Sequence, residues 1–173
     1  MAITYELISS NVLGTAAASV TFSAIPSTYT DLVIRMSVRL DAGGTEDSFW
    51  LRLNGLSTSI YSKTSVIDSG GTALSLRDTS TTQINLGDAD AAGSTSNTFS
   101  SVEFYLPNYA GTTQKPSSIA YAQENNSITV YQVGAIAGLT NLTSAVSSIT
   151  LLSRTGVNLV SGSSFYLYGI KNS

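Results

Sequence analysis

The sequence predicts an all-β chain: a single-domain β-sandwich over residues 1–173, built as a jelly roll of about 8–10 antiparallel strands. Three observations carry this. Apolar side chains recur at every second position in segment after segment, which is the period of a strand. Gly, Asn, Asp, Ser and Pro punctuate those segments. No stretch of a dozen residues sustains a helical period. Composition agrees. Charged residues are only 11% of the chain, against about 25% in an ordinary soluble domain. Ser and Thr fill the gap at about three residues in ten, and both suit strand faces and turns better than helix interiors. Hydrophobic residues make up 42% of the 173 positions, enough to build a core at this length.

Taken in order, "ITYELI" (3–8) opens with Ile3, Tyr5 and Leu7 on one face, and "ASVTF" (18–22) alternates Ala18, Val20 and Phe22 against Ser19 and Thr21. "IPSTYT" contains Pro26 and reads as a bend. "DLVIRMSVRL" (31–40) is the cleanest strand, with Leu32, Ile34, Met36, Val38 and Leu40 on one face. Val33, Arg35, Ser37 and Arg39 fall on the other. "SFWLRLN" (48–54) is apolar on both faces except at Arg52, as a central strand would be. "SIYSKTSVI" (59–67) is a further, less regular candidate. From Asp68 to Asn97 the chain is dominated by Ser, Thr, Gly, Asp and Ala, and only "TQINL" (82–86) has a strand pattern. Residues 68–97 are therefore read as a long surface excursion. A meander of weakly patterned strands is the alternative. The second half returns to regular strands at 98–106, 117–123, 128–136, 146–153 and 163–170, with Pro107 and Pro116 bracketing the turn "NYAGTTQK".

Much chemistry is excluded. The chain has no His and no Cys, which removes the Ser-His-Asp and Cys-His arrangements, disulfides, thiolate sites and most zinc or transition-metal sites. No G-x-S-x-G elbow, phosphate loop or dinucleotide fingerprint is present. No enzymatic activity, cofactor or metal is expected. Glu6, Glu103 and Glu124 leave two-carboxylate glycoside hydrolysis formally open, but on strand edges they read as solvent-facing charges. Asp88 and Asp90 in "GDADAAG" could begin a calcium loop, although a plain acidic loop needs no third ligand. The net charge of −3 and the lack of any basic run argue against nucleic acid. No secretory signal and no membrane-length apolar run is visible. Trp50 and the nine tyrosines could form a sugar platform, but Trp50 within "FWLRL" reads as core.

Two features point to contacts between chains. Arg35 and Arg39 share a strand face and are expected at the rim of a subunit contact, where guanidinium groups bridge to carboxylates or carbonyls. In "SSFYLYGIKNS", Phe165 and Leu167 project to one side and Tyr166, Tyr168 and Ile170 to the other. A strand with large side chains on both faces is either an inner strand or covered by a neighbouring chain, with Tyr166 and Tyr168 in the interface.

The run "TYELISSNVLGTAAASVTFSAIPSTYTDLVIRMSVRL", with "FYLPNYAGTTQKPSS", "ENNSITVYQVGAIAGL" and "FYLYGIKNS", resembles small jelly-roll virion structural proteins of tailed bacteriophages. The resemblance covers nearly the whole chain and rests on turn and core residues. It implies a capsid decoration or cement protein, commonly a homotrimer, contacting the major capsid protein of a virion assembled in the host cytoplasm. The first strand begins at Ile3 with no shaft before it, which favours the capsid role. A tail-fibre or receptor-binding module recognising a host glycan is the alternative.

Overall fold

The computed structural model describes residues 4–124, 126 and 131–171. Among them there is no helix, and twelve strands fold into two antiparallel sheets. The strands are β1 (Thr4–Val12), β2 (Ser19–Phe22), β3 (Asp31–Val38), β4 (Glu46–Leu53), β5 (Tyr61–Ser69), β6 (Thr72–Thr81), β7 (Ile84–Asp90), β8 (Ser100–Pro107), β9 (Lys115–Gln123), β10 (Gln132–Thr140), β11 (Ile149–Ser153) and β12 (Ser164–Lys171). An eight-stranded sheet runs β1-β12-β3-β8-β9-β10-β5-β6, and a four-stranded sheet runs β2-β11-β4-β7. The all-β sandwich is as the sequence predicts, with more strands than the expected 8–10. The surplus comes from the middle of the chain.

Alternation explains most elements. In β3, Leu32, Ile34, Met36 and Val38 turn inward and are buried. They meet Phe104 and Leu106 of β8, Phe165 and Leu167 of β12, and Phe49, Leu51 and Leu53 of β4 in one continuous core. In β9 the alternation is strict, with Lys115, Ser117, Ile119, Tyr121 and Gln123 buried and the intervening residues exposed. Lys115 is fully buried because its ammonium donates to the carbonyls of Gly111 and Thr113, closing the preceding turn. Burial holds its pKa below the ordinary lysine value.

The stretch 68–97 is not a surface excursion. It contains β6, an exposed edge strand, and β7, whose Ile84, Leu86 and Ala89 are at most 1% exposed in the core between the sheets. The weakly patterned strands of the alternative are present, but β6 and β7 lie in different sheets and do not form a meander. The pattern is faint because β7 carries a bulge against β4 between Ser48 and Trp50, which breaks the two-residue period. Gly87 sits at that bulge with φ +104°. A Cβ there would lie 2.4 Å from Cγ of Tyr121 on β9. The position therefore needs glycine on two counts, backbone conformation and the tyrosine ring that bridges the sheets. The segment read at 128–136 is also displaced: the strand is β10, four residues later, and 128–130 lie outside the described residues.

Gly87→Ala combines a strained backbone with an overpacked contact, and is expected to cost about 3 kcal/mol of stability. Urea unfolding monitored by circular dichroism measures it; a change below about 1 kcal/mol would contradict the packing described.

Candidate functional site

The outward face of the eight-stranded sheet carries most of the unusual surface chemistry. Cross-strand register lays Leu7, Tyr168, Val33 and Tyr105 in one row over β1, β12, β3 and β8. The next row is Ser10, Tyr166, Arg35 and Glu103. Tyr5 and Leu7 are about half exposed, at 51% and 52%. The apolar residues of β1 thus point away from the core, so the alternation in "TYEL" is real and its direction is outward. Tyr5 and Tyr168 meet edge to face, with ring centroids 6.4 Å apart.

Arg35 lies in the middle of this patch. Its Nε donates to Glu103 at 3.0 Å, and its guanidinium sits 5.6 Å from the Tyr5 ring centroid. Tyr166 and Tyr168 flank it from β12, half-buried and outward. β12 is an inner strand between β1 and β3, with Phe165 and Leu167 in the core and Tyr166 and Tyr168 on the outward face. The structure thus brings Arg35, Tyr166 and Tyr168 together.

Arg39 does not join them. β3 ends at Val38, and Arg39 turns inward to 8% exposure. Its guanidinium donates to the backbone carbonyls of Ser94, Thr95 and Thr98, and to the Thr98 hydroxyl. It gathers the loop after β7 against the end of β3. The placement of Arg39 at a contact rim is therefore corrected: the carbonyls that it meets belong to its own chain. Residue alternation alone cannot show that a strand ends one residue before a side chain.

Further along the same face, β9 and β10 present Pro116, Ser118, Ala120 and Ala122 opposite Leu139, Ala137, Ala135 and Val133. All eight are exposed, and none is charged. Val66 of β5 continues the strip opposite Ala135, at 62% exposure. Sequence reading passed over these alanines. The signal was available, since alternating alanine on an exposed strand face is against propensity.

The second feature is a groove of about 350 Å³ at the open margin between the sheets. Trp50 lies in it. It is half-buried and outside the core, on the outward face of the four-stranded sheet, which corrects its reading as a core residue. Its register partners are Leu152 on β11 and Asn85 on β7. Lys63 and Asp78, joined at 3.3 Å, close the groove from β5 and β6.

The acids separate by role. Asp88 accepts from the Ser48 hydroxyl at 2.7 Å, and the fully buried Asp90 accepts from Gln123 at 3.1 Å. Glu103 and Glu6 pair with Arg35 and Lys171, and Glu124 accepts from the backbone of Asn126. No group of three metal-ligating side chains forms among the described residues. Burial raises the Glu46 carboxyl pKa, the nearby Asp88 adds to the rise, and a hydrogen bond from Gln132 opposes it. Burial, reinforced by Asp88 and Glu46, pushes the Tyr121 phenol up to about 12.

No protein-family model matches the chain, and no curated protein matches it. Among solved structures it is similar to the Caenorhabditis elegans galectin LEC-6, at 9% identity and a TM-score of 0.36, over 94% of this chain and 96% of that one. It is also similar to scytalido-glutamic peptidase, solved with a transition-state analogue inhibitor, at 13% identity and a TM-score of 0.26, over 96% of this chain and 66% of that one. Neither likeness carries a residue of this chain into a role.

Two outcomes follow from these placements. Arg39→Met strips buried carbonyls of their donor and should cost on the order of 3 kcal/mol, whereas Arg35→Met removes an exposed pair worth less than about 1 kcal/mol. Denaturant unfolding of the two variants side by side checks the contrast. For Glu46 the sign follows from proton linkage. The folded chain holds this proton more tightly than the unfolded one, so the group's contribution to stability falls as pH rises from its ordinary 4.5 through the raised value. Glu46→Gln should therefore gain on wild type at pH 7 and lose that advantage at pH 4, read as the difference in urea midpoints.

Proposed function

We propose that the chain is a tailed-bacteriophage virion structural protein, a capsid decoration or cement protein that stabilises an assembled shell through protein–protein contacts. The supporting observation is the strip on β9 and β10. A sheet face washed by water ordinarily carries polar side chains, and alanine is a poor strand former. Ala120, Ala122, Ala135 and Ala137 keep this face flat and allow another protein surface close to the backbone. Val66, Val133 and Leu139 add apolar area around them. At the β1–β12 end, Tyr5, Tyr166 and Tyr168 supply rigid amphipathic rings of the kind favoured in protein contacts.

The resemblance of the sequence to phage virion proteins supplies the partners: further copies of the chain, assembled as a homotrimer, and the major capsid protein. Neither nucleic acid nor membrane is among them, and no catalytic step is involved. A clamp that binds only the assembled shell favours assembly by mass action. The reading as a glycan-recognising receptor module draws on a different feature, the groove at Trp50.

The test is co-sedimentation of purified protein with capsids that lack it, alongside sedimentation of the protein alone. The double variant Ala120→Lys, Ala135→Glu puts an opposite-charge pair on directly facing residues, which a sheet tolerates. It raises two long side chains on the flat strip. Expected are an unchanged thermal midpoint and a loss of capsid binding of about tenfold or more, equivalent to about 1.4 kcal/mol. Wild-type protein that fails to bind capsids, or a variant that binds as well as wild type, would overturn the proposal.

A further inference from the structure

We propose that the groove at the open margin of the sandwich binds an acidic saccharide, with a pyranose ring stacked on Trp50 and a carboxylate held by Arg154. The site is independent of the alanine strip and of the capsid reading.

Its construction follows from register. Trp50 on β4 faces Leu152 on β11. The ladder continues past the end of β11, where the backbone N–H of Arg154 donates to the carbonyl of Ser48 at 2.8 Å. Arg154 is therefore the diagonal neighbour of Trp50 on the same face, about 7–8 Å away by strand geometry. Asn85 flanks the ring from β7, and Gln83 stands in the turn before it. The β5–β6 hairpin forms the far wall with Lys63 and Asp78.

Donors and acceptors in the groove are unevenly committed. Each side-chain acceptor of the groove already takes one donor of the chain. Asn85 Oδ1 takes the Gly87 N–H at 2.7 Å, Gln83 Oε1 takes the Thr82 hydroxyl, and Asp78 pairs with Lys63. The donors are open. Among the described residues no protein group pairs with the Arg154 guanidinium, the Asn85 or Gln83 amide N–H₂, or the Trp50 indole N–H. A complementary ligand must be rich in acceptors and carry negative charge at Arg154. A carboxylate meets a guanidinium in bidentate fashion. The flat apolar ring of Trp50 asks in addition for a flat apolar surface, which the C–H face of a pyranose provides. A peptide backbone brings as many donors as acceptors. A neutral sugar leaves the charge of Arg154 unanswered.

Trp50 is the single tryptophan of the chain, so its emission reports on this groove alone. The experiment titrates the whole protein with pectin-derived oligogalacturonate, alginate-derived oligomannuronate and neutral cello-oligosaccharide of matched length. Expected is a saturable change in Trp50 emission with at least one of the two acidic chains, and binding about tenfold or more weaker for the neutral chain. Arg154→Met, at an exposed position, should abolish the preference for the acidic chain while leaving the thermal midpoint in place. Trp50→Ala, followed by calorimetry, should abolish binding. No saturable change with either acidic chain, equal binding of the neutral one, or an Arg154→Met variant with undiminished preference would each overturn the proposal. Capsid co-sedimentation of Arg154→Met should match wild type, which separates a failure here from a failure of the virion reading.

Discussion

Each strand occupies about 4.8 Å of sheet width, so a sheet of eight strands is roughly twice as broad as the four-stranded sheet that it faces. The core can exist only where the two overlap, and the sequence respects that limit. Over the overlap, the inward side chains of β3, β8 and β12 are Leu, Ile, Met, Val and Phe. Beyond it, polar residues enter the inward rows. On β5, Lys63 and Ser65 interrupt the inward row between Tyr61 and Ile67, and at the opposite margin Glu6 of β1 pairs with Lys171 of β12. The mismatch in width creates both margins of the molecule. The overhanging β5–β6 hairpin turns one margin into a walled groove, and Trp50 projects into it from the shorter sheet.

The same constraint frees the broad sheet's outward face to do something else. Because burial on one side already holds β9 and β10 in place, their outward residues need not contribute to stability. Alternation then lets two chemistries share one strand: Ile119, Tyr121 and Ile136 in the core, and small apolar residues one position away in solvent. Arg35 belongs to this outward layer, held by Glu103 and Tyr5. Arg39, four residues on and past the end of β3, belongs to the layer within.

Much of this architecture is legible in the sequence, for a physical reason. Where a strand buries one face, its two-residue period is enforced by packing, so β3, β8, β9 and β12 can be read directly. Legibility fails where packing stops enforcing the period. β6 is an edge strand exposed along nearly its whole length, so "TALSLRDTST" has no face to mark. β7 carries a bulge at Gly87 that resets the phase. β10 dilutes its pattern with Gly134, where Tyr121 and Ile67 leave no room for a Cβ, and with Gly138. Trp50 sits in a strand that looks apolar on both faces, and only the burial of Phe49, Leu51 and Leu53 on the other face shows that its side chain projects outward. The direction of Arg39 depends on where β3 ends, which no local pattern records. The alanine strip was legible as composition. Its meaning needed the register that sets Ala120 against Ala135.

The pairing of β1 with β12 sets Thr4 opposite Lys171, and β12 then lies between β1 and β3. Most of the chain must therefore be looped out before the broad sheet can be completed, and loop entropy is lost before those contacts return anything. A topology of this kind is expected to fold slowly for its size. While β12 is absent, both β1 and the near edge of β3 stand open as templates for strands of other molecules. Crowded synthesis of many copies at once thus sets assembly of the native sheet in competition with intermolecular strand exchange. The exposure of those edges during folding, and not only the stability of the finished fold, then bears on the yield of soluble protein.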